Sequence, residues 1–176
     1  MSGRRDASSP LFLVGFMASG KTTVGRALAA MLGFAFEDTD AIVERVAGRS
    51  IDAIVRTSGE GSFREAEWEA LRSLAGRRRV VVATGGGLFL GVAQRSLVRA
   101  SGLSCWIDAP LASIAERVAR GPRRPLWPVD DPIAQRALFD RRRAAYALAD
   151  LRVDASRGAP DDLAREVATV RNGLLR

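Results

Sequence analysis

One stretch, LFLVGFMASGKTTVGRALAAMLG (residues 11–33), limits the fold more than any other. Its opening, LFLVGF, is a continuous apolar run of strand length, as expected for a strand buried on both faces. Gly15-Phe-Met-Ala-Ser-Gly20-Lys21-Thr22 then matches G-x-x-x-x-G-K-[ST]. Beyond it, Val24, Leu28 and Met31 recur at helical spacing, and Gly33 is placed to end that helix. In a strand, glycine-rich loop and helix joined in this way, backbone N–H groups and the positive helix end wrap phosphates. The pattern assigns Ala18, Ser19, Gly20, Lys21, Thr22 and Thr23 to a nucleotide phosphate chain. Lys21 would reach the β and γ phosphates, and the Thr22 hydroxyl would face Mg²⁺. Lys21 is also the single lysine among 27 lysines and arginines. A planar guanidinium is bulkier than an ammonium and does not fold into the same cradle, so this is where arginine cannot replace lysine.

The remaining chain alternates short apolar runs with helix-like stretches, which indicates a parallel α/β sheet. Strands are expected at FAFE (34–37), VVVAT (80–84), LSCWID (103–108) and LRVD (151–154). Two helical pieces are expected around 42–47 and 51–55. Trp68, Leu71 and Leu74 mark another helix, and Leu163, Val167 and Val170 give the closing helix an apolar face. The segment ARGPRRPLWPVDDP (119–132) carries four prolines and is read as a long loop, the usual form of a lid. The expected organisation is a disordered tail over 1–9 and one domain over 10–176, with a substrate-binding insert at about 39–66 and a lid at about 118–131.

Composition excludes several chemistries. With no histidine and one cysteine, Cys105 in an apolar run, zinc sites, histidine-based triads and internal disulfides are ruled out. A net charge of +7 invites a nucleic-acid reading, but basic residues are interleaved with acids and aromatics make up only 6%. A basic cleft for a small anion accounts for the charge equally well, so no nucleic-acid partner is expected. The apolar runs fall well short of the roughly 18 residues of a membrane span. The basic, then apolar N-terminus imitates a signal peptide, but cleavage there would remove the first strand and its loop. The chain is therefore read as cytoplasmic.

Two further groups sit where strands are expected to end. Asp38-Thr39-Asp40 closes the second strand, and Gly85-Gly86-Gly87 follows the third. Both lie on the sheet edge that carries the phosphate loop, where open α/β sheets bind ligands. Two carboxylates at that spacing can divide their labour, one toward hydrated Mg²⁺ and one toward the proton of an attacking hydroxyl. Three successive glycines let a ligand approach the backbone closely.

Taken in order, GFMASGKTTVGRALA, DTD, GRSIDAIV, GEGSFREAE, ATGGG, RPL and an arginine four before a tyrosine resemble the shikimate kinase family across nearly the whole chain. The resemblance implies a three-layer α/β/α P-loop kinase with a five-stranded parallel sheet ordered 2-3-1-4-5. It implies ATP and shikimate as substrates, one Mg²⁺ per site and a monomer. On the matching positions, Asp40 would hold the hydroxyls of shikimate and act as base, and Asp38 would lie near the metal through water. Arg64 and Arg142 would grip the substrate carboxylate, with Glu67 orienting Arg64. The Gly85–Gly87 turn would bind substrate, Gly86 and Gly87 doing so through their N–H groups. Arg124 would swing onto the phosphates, Arg117 would pack on adenine, and Arg157 falls near a second adenine-contacting loop.

The chain departs from the family pattern at four places. Ala18 replaces a commoner glycine, the third strand lacks a Walker-B aspartate, Trp127 follows RPL, and the usual proline before Tyr146 is missing. The last departure leaves Arg141 and Arg143 as alternatives to Arg142. Two rival readings are another small-molecule P-loop kinase, such as one for gluconate, and a non-catalytic kinase-like sensor of small acids. The combination of Asp40, Arg64, GGG and Arg142 argues against the first. Retention of Asp40 and Arg64 argues against the second.

Overall fold

The computed structural model describes residues 5–121, 124–156 and 158–175. Five strands, β1 (Leu11–Val14), β2 (Ala35–Asp38), β3 (Val80–Ala83), β4 (Leu103–Asp108) and β5 (Leu151–Asp154), form one parallel sheet ordered β2-β3-β1-β4-β5. The apolar runs of β1, β3 and β4 are buried residue for residue, as central strands covered on both faces must be. Helices connect them: α1 (Lys21–Leu32), α2 (Thr39–Ala47), α3 (Ile51–Leu74), α4 (Val92–Ser101), α5 (Leu111–Arg120), α6 (Pro132–Tyr146) and α7 (Pro160–Leu174). Register pairs Leu13 and Asp38 alike with Ala83, so β1, β2 and β3 reach one edge together. Chain direction across the sheet reverses around β1, and the crevice at such a point is where α/β folds place ligands.

Local chemistry sets the helix ends. Gly33 closes α1 in the left-handed conformation, its N–H bonded to the carbonyls of Ala29 and Ala30. The Asp38 carboxylate caps α2 by accepting the Asp40 N–H at 3.0 Å. Ser50 caps α3, and Asp131 caps α6 just ahead of Pro132.

The structure departs from the sequence reading at several points. β1 stops at Val14 rather than running to residue 16, because Gly15 turns out at φ 141°. The separate pieces expected within residues 51–74 are present, by contrast: α3 is two helical segments meeting at a kink where Gly59 leaves helical geometry (φ 83°). Met31 and Val170 face solvent, so α1 and α7 use Val24, Leu28, Leu163 and Val167 instead. Residues 5–9, assigned to a tail, pack onto the edge of the sheet away from the phosphate loop. There Arg5 pairs with Asp150, Asp6 pairs with Arg78, and the Arg79 N–H donates to the Ser8 carbonyl at 2.7 Å.

Candidate active site

The phosphate loop joins β1 to α1 through special backbone. A Cβ at Gly15 would lie 2.7 Å from the Ile107 carbonyl oxygen, so only glycine fits. Ala18 adopts φ 56°, a left-handed conformation that strains any residue with a Cβ. Lys21 opens α1 and is only 8% exposed. Its Nζ folds back to donate to the carbonyls of Gly15 (3.0 Å) and Phe16 (2.6 Å). Burial pushes its pKa down to about 8, against the pull of Asp40 and Asp38.

The Thr22 hydroxyl donates to Asp38 at 2.8 Å. Its proton is thus spoken for, and its lone pairs are left for a cation. That donor set, a hydroxyl and a carboxylate beside a phosphate cradle, suits a hard ion such as Mg²⁺. No cluster of three or more metal-ligating His, Cys, Asp or Glu exists among the described residues. Such an ion would therefore depend on nucleotide phosphates and water for its other ligands.

A cavity of about 480 Å³ extends from this loop, walled by residues 18–23, Arg117, Arg124 and, on the far side, Ala155, Gly158 and Pro160. Arg117 reaches from α5 to donate to the Ala18 carbonyl at 3.1 Å. Arg157 lies outside the described residues. A second cavity of about 580 Å³ lies beside the first and is lined by α2, α3, the glycine turn and the Arg124–Leu126 segment. The two share Thr22, Asp38, Asp40, Gly86 and Arg124 in their walls. One cleft therefore has two lobes meeting at Asp40.

The second lobe is polarised. Arg64 and Arg142 line it, with Glu67 between them. Arg64 is held by Glu67 and Glu60 and stacks on Phe63. Arg142 is buried, its guanidinium 5.1 Å from the Phe16 ring and its Nε without a partner. Its neighbours differ: Arg141 is exposed and Arg143 pairs with Asp108, so only Arg142 of the three lines the lobe. Burial raises the Glu67 pKa to about 7 despite Arg64 beside it. Burial, and then Asp38, raises that of Asp40. Asp40 Oδ1 and Glu67 Oε1 are both buried without a partner.

Each of the three glycines has its own steric reason. A Cβ at Gly85 would lie 2.1 Å from Glu67 Oε1 and 2.6 Å from Asp40 Oδ1. One at Gly86 would meet the Met17 backbone at 3.0 Å, and one at Gly87 the Arg64 guanidinium at 2.3 Å. The turn thus lets β3 approach the phosphate loop, both carboxylates and Arg64 at once. Gly86 and Gly87 line the second lobe, whereas Gly85 does not, its N–H being bonded to Thr39. Two residues escaped the sequence reading. Phe16, inside the loop motif, supports Arg142 and packs edge-on against Trp127 at 5.9 Å. Its signal was an aromatic side chain inside a glycine-bounded phosphate loop. Thr39, fully buried between the two aspartates, ties them to the glycine turn; nothing in sequence marks its hydroxyl.

A parallel sheet with a phosphate cradle at its edge, a second lobe carrying two arginines, and Arg124 in the walls of both define a P-loop kinase of small molecules. Comparison with known proteins narrows this. The family model for shikimate kinase matches residues 17–171. The chain is 44% identical to the shikimate kinase of Geobacter sulfurreducens over 158 residues, covering 89% of this chain and 87% of that one. It is 44% identical to that of Synechococcus elongatus over 144 residues, covering 81% and 75%. The solved structure of shikimate kinase from Acinetobacter baumannii, in complex with shikimate, superposes with a TM-score of 0.89 at 34% identity over 94% of each chain. The chain belongs to the shikimate kinase family, and so to the ATP-dependent phosphotransferases. A gluconokinase from Sinorhizobium meliloti, at 17% identity and a TM-score of 0.58, shares the fold alone.

Proposed function

We propose that this protein transfers the γ-phosphoryl group of ATP to the 3-hydroxyl of shikimate. The observation that carries this is the meeting of the two lobes at Asp40, with the phosphate cradle on one side and two arginines on the other. A substrate with one carboxylate and several hydroxyls fits such a lobe. Arg64 and Arg142 take the carboxylate, and the hydroxyls then fall toward Asp40. This supports Arg142 over Arg141 and Arg143 as the second carboxylate-binding residue.

Burial and Asp38 make Asp40 a stronger base than a free carboxylate, suited to accept the proton of the attacking hydroxyl. Lys21 and Arg124 stand where negative charge grows on the transferred group, and a preorganised pair of cations stabilises that charge without rearranging. Mg²⁺, held by Thr22 and through water by Asp38, would add neutralising charge on the nucleotide. The lid expected at 118–131, of which 122 and 123 lie outside the described residues, would exclude water, with Trp127 packed edge-on against Phe16. A monomeric enzyme working in the cytoplasm, where ATP is the donor, belongs to the same reading.

The test is ADP release from Mg-ATP with and without shikimate, with gluconate as the control acceptor. Shikimate-dependent ADP is expected; none, or equal release with gluconate, would reject the proposal.

A further inference from the structure

Tyr146, at the end of α6, is the chain's single tyrosine. It is almost wholly buried, packed near Trp106 at 6.2 Å, and lines neither lobe of the cleft. Its hydroxyl nevertheless reaches the cleft's framework by donating to the Gly86 carbonyl. On the other side of the same turn, the buried Thr39 hydroxyl accepts the Gly85 N–H at 2.8 Å. The turn is thus gripped by one hydroxyl from α6 and one from α2. Glycine backbone is the most permissive there is, so without such grips its peptide planes would be free to rotate.

In a trans peptide the carbonyl of one residue and the N–H of the next point in opposite directions within one plane. No peptide among the described residues is cis. Fixing the Gly86 carbonyl toward buried Tyr146 therefore turns the Gly87 N–H the other way, and Gly87 lines the acceptor lobe beside the Arg64 guanidinium. No acceptor among the described residues takes that N–H. The geometry points to Tyr146 as a positioning residue, whose hydroxyl aims the Gly87 N–H at the anionic end of the acceptor between Arg64 and Arg142. It lines neither lobe and acts through that peptide plane, and its hydroxyl also interacts with the Arg142 side chain, so both groups it steadies face the acceptor's anionic end. This inference rests on the acceptor reading proposed above.

Tyr146→Phe keeps the buried ring and frees the peptide. A misaimed N–H weakens one charge-assisted hydrogen bond to the acceptor, so the KM for shikimate should rise about tenfold. The KM for ATP and kcat should stay within about twofold, since the lost contact is made equally in ground and transition states. A second measurement needs no variant. Protein grown on 3-fluorotyrosine carries one fluorine-labelled position, and its ¹⁹F resonance should move on adding shikimate without nucleotide. An unchanged shikimate KM, an equal loss for both substrates, or a ¹⁹F signal indifferent to shikimate would overturn the role. Wild-type protein without shikimate-dependent turnover would instead reject the functional reading beneath it.

Discussion

Replacing Lys21 by methionine should remove catalysis while making the protein more stable. The side chain is almost wholly enclosed, and its ammonium pKa falls from 10.5 to about 8. That displacement corresponds to about 3 kcal/mol of net penalty for holding the charge in the folded state, after the attraction of Asp40 and Asp38 has been counted. Methionine fills nearly the same volume and has similar helix propensity, so packing and helix terms should roughly cancel. Against the gain stand the two bonds from Nζ to the Gly15 and Phe16 carbonyls, each contributing about 1 kcal/mol. The balance is about 1 kcal/mol in favour of the variant, equivalent to a rise in melting temperature of about 2–4 °C for a chain of this size.

The dependence on pH fixes the cause. Below pH 8 the lysine is charged in both folded and unfolded states, and the penalty is present in full. Between pH 8 and 10.5 only the unfolded chain keeps the proton, so the wild type gains stability as pH rises and the variant's advantage shrinks. Thermal melts of both proteins at pH 7 and about pH 10 read this directly. ADP release in the presence of shikimate should fall by about 10²–10³ or more, the usual effect of deleting one preorganised charge from a reacting centre. A variant that melts below the wild type at neutral pH, or an advantage that does not shrink toward pH 10, would refute the reasoning. Arginine at the same position should also abolish turnover, because the pocket between two carbonyls at 2.6 and 3.0 Å fits an ammonium and not a guanidinium plane.

Other perturbations separate the two lobes. Arg64→Ala should raise the shikimate KM by about 10–100-fold and leave the ATP KM unmoved, read from initial rates with each substrate varied in turn. Glu67→Gln should stabilise the protein in a pH-dependent way. The buried carboxyl's pKa rises from 4.5 to about 7, so wild-type stability drains away as pH climbs through that window and stays lost above it, whereas glutamine has no proton to lose. Urea midpoints at about pH 5 and pH 8 should therefore differ more for the wild type than for the variant. Ala18→Gly relieves a left-handed conformation at φ 56° and should raise stability by about 1 kcal/mol, measured by the same unfolding curves.

Sequence showed the sheet edge well and its far side poorly, for a physical reason. Central strands are continuous apolar runs, and the loop that follows β1 is held by its own backbone, so both can be read from a few neighbouring residues. Residues 5–9 read as a tail because they are polar. What orders them are partners about seventy or more residues away, Arg78 for Asp6 and Asp150 for Arg5, and no local pattern carries that. The break within α3 was legible for the opposite reason. Gly59 interrupts the helix through its own backbone at φ 83°, and a Cβ at Gly59 or Gly61 would meet nothing, so no distant packing contact sets the break. The surrounding helix is stitched by hydroxyls, Thr57 to the Ala53 carbonyl and Ser62 to the Ser58 carbonyl, with Arg49 bonded to Thr57 and Ser58.

The candidate site divides along the same line. Lys21, Thr22, Asp38 and Asp40 are near each other in sequence or follow strands directly, and their clustering could be expected. Arg142 could not be told from Arg141 and Arg143 by pattern, because one turn of helix decides which of three successive arginines faces inward. Here α6 turns Arg142 onto Phe16 and Arg143 onto Trp106 and Asp108. The missing proline before Tyr146 thus does not displace the buried arginine. Tyr146 sits one turn further along the same face, with its hydroxyl on the glycine turn. Arg142 and the Gly86 carbonyl are therefore set by a single helix, and a shift of α6 would move both of these walls of the second lobe together.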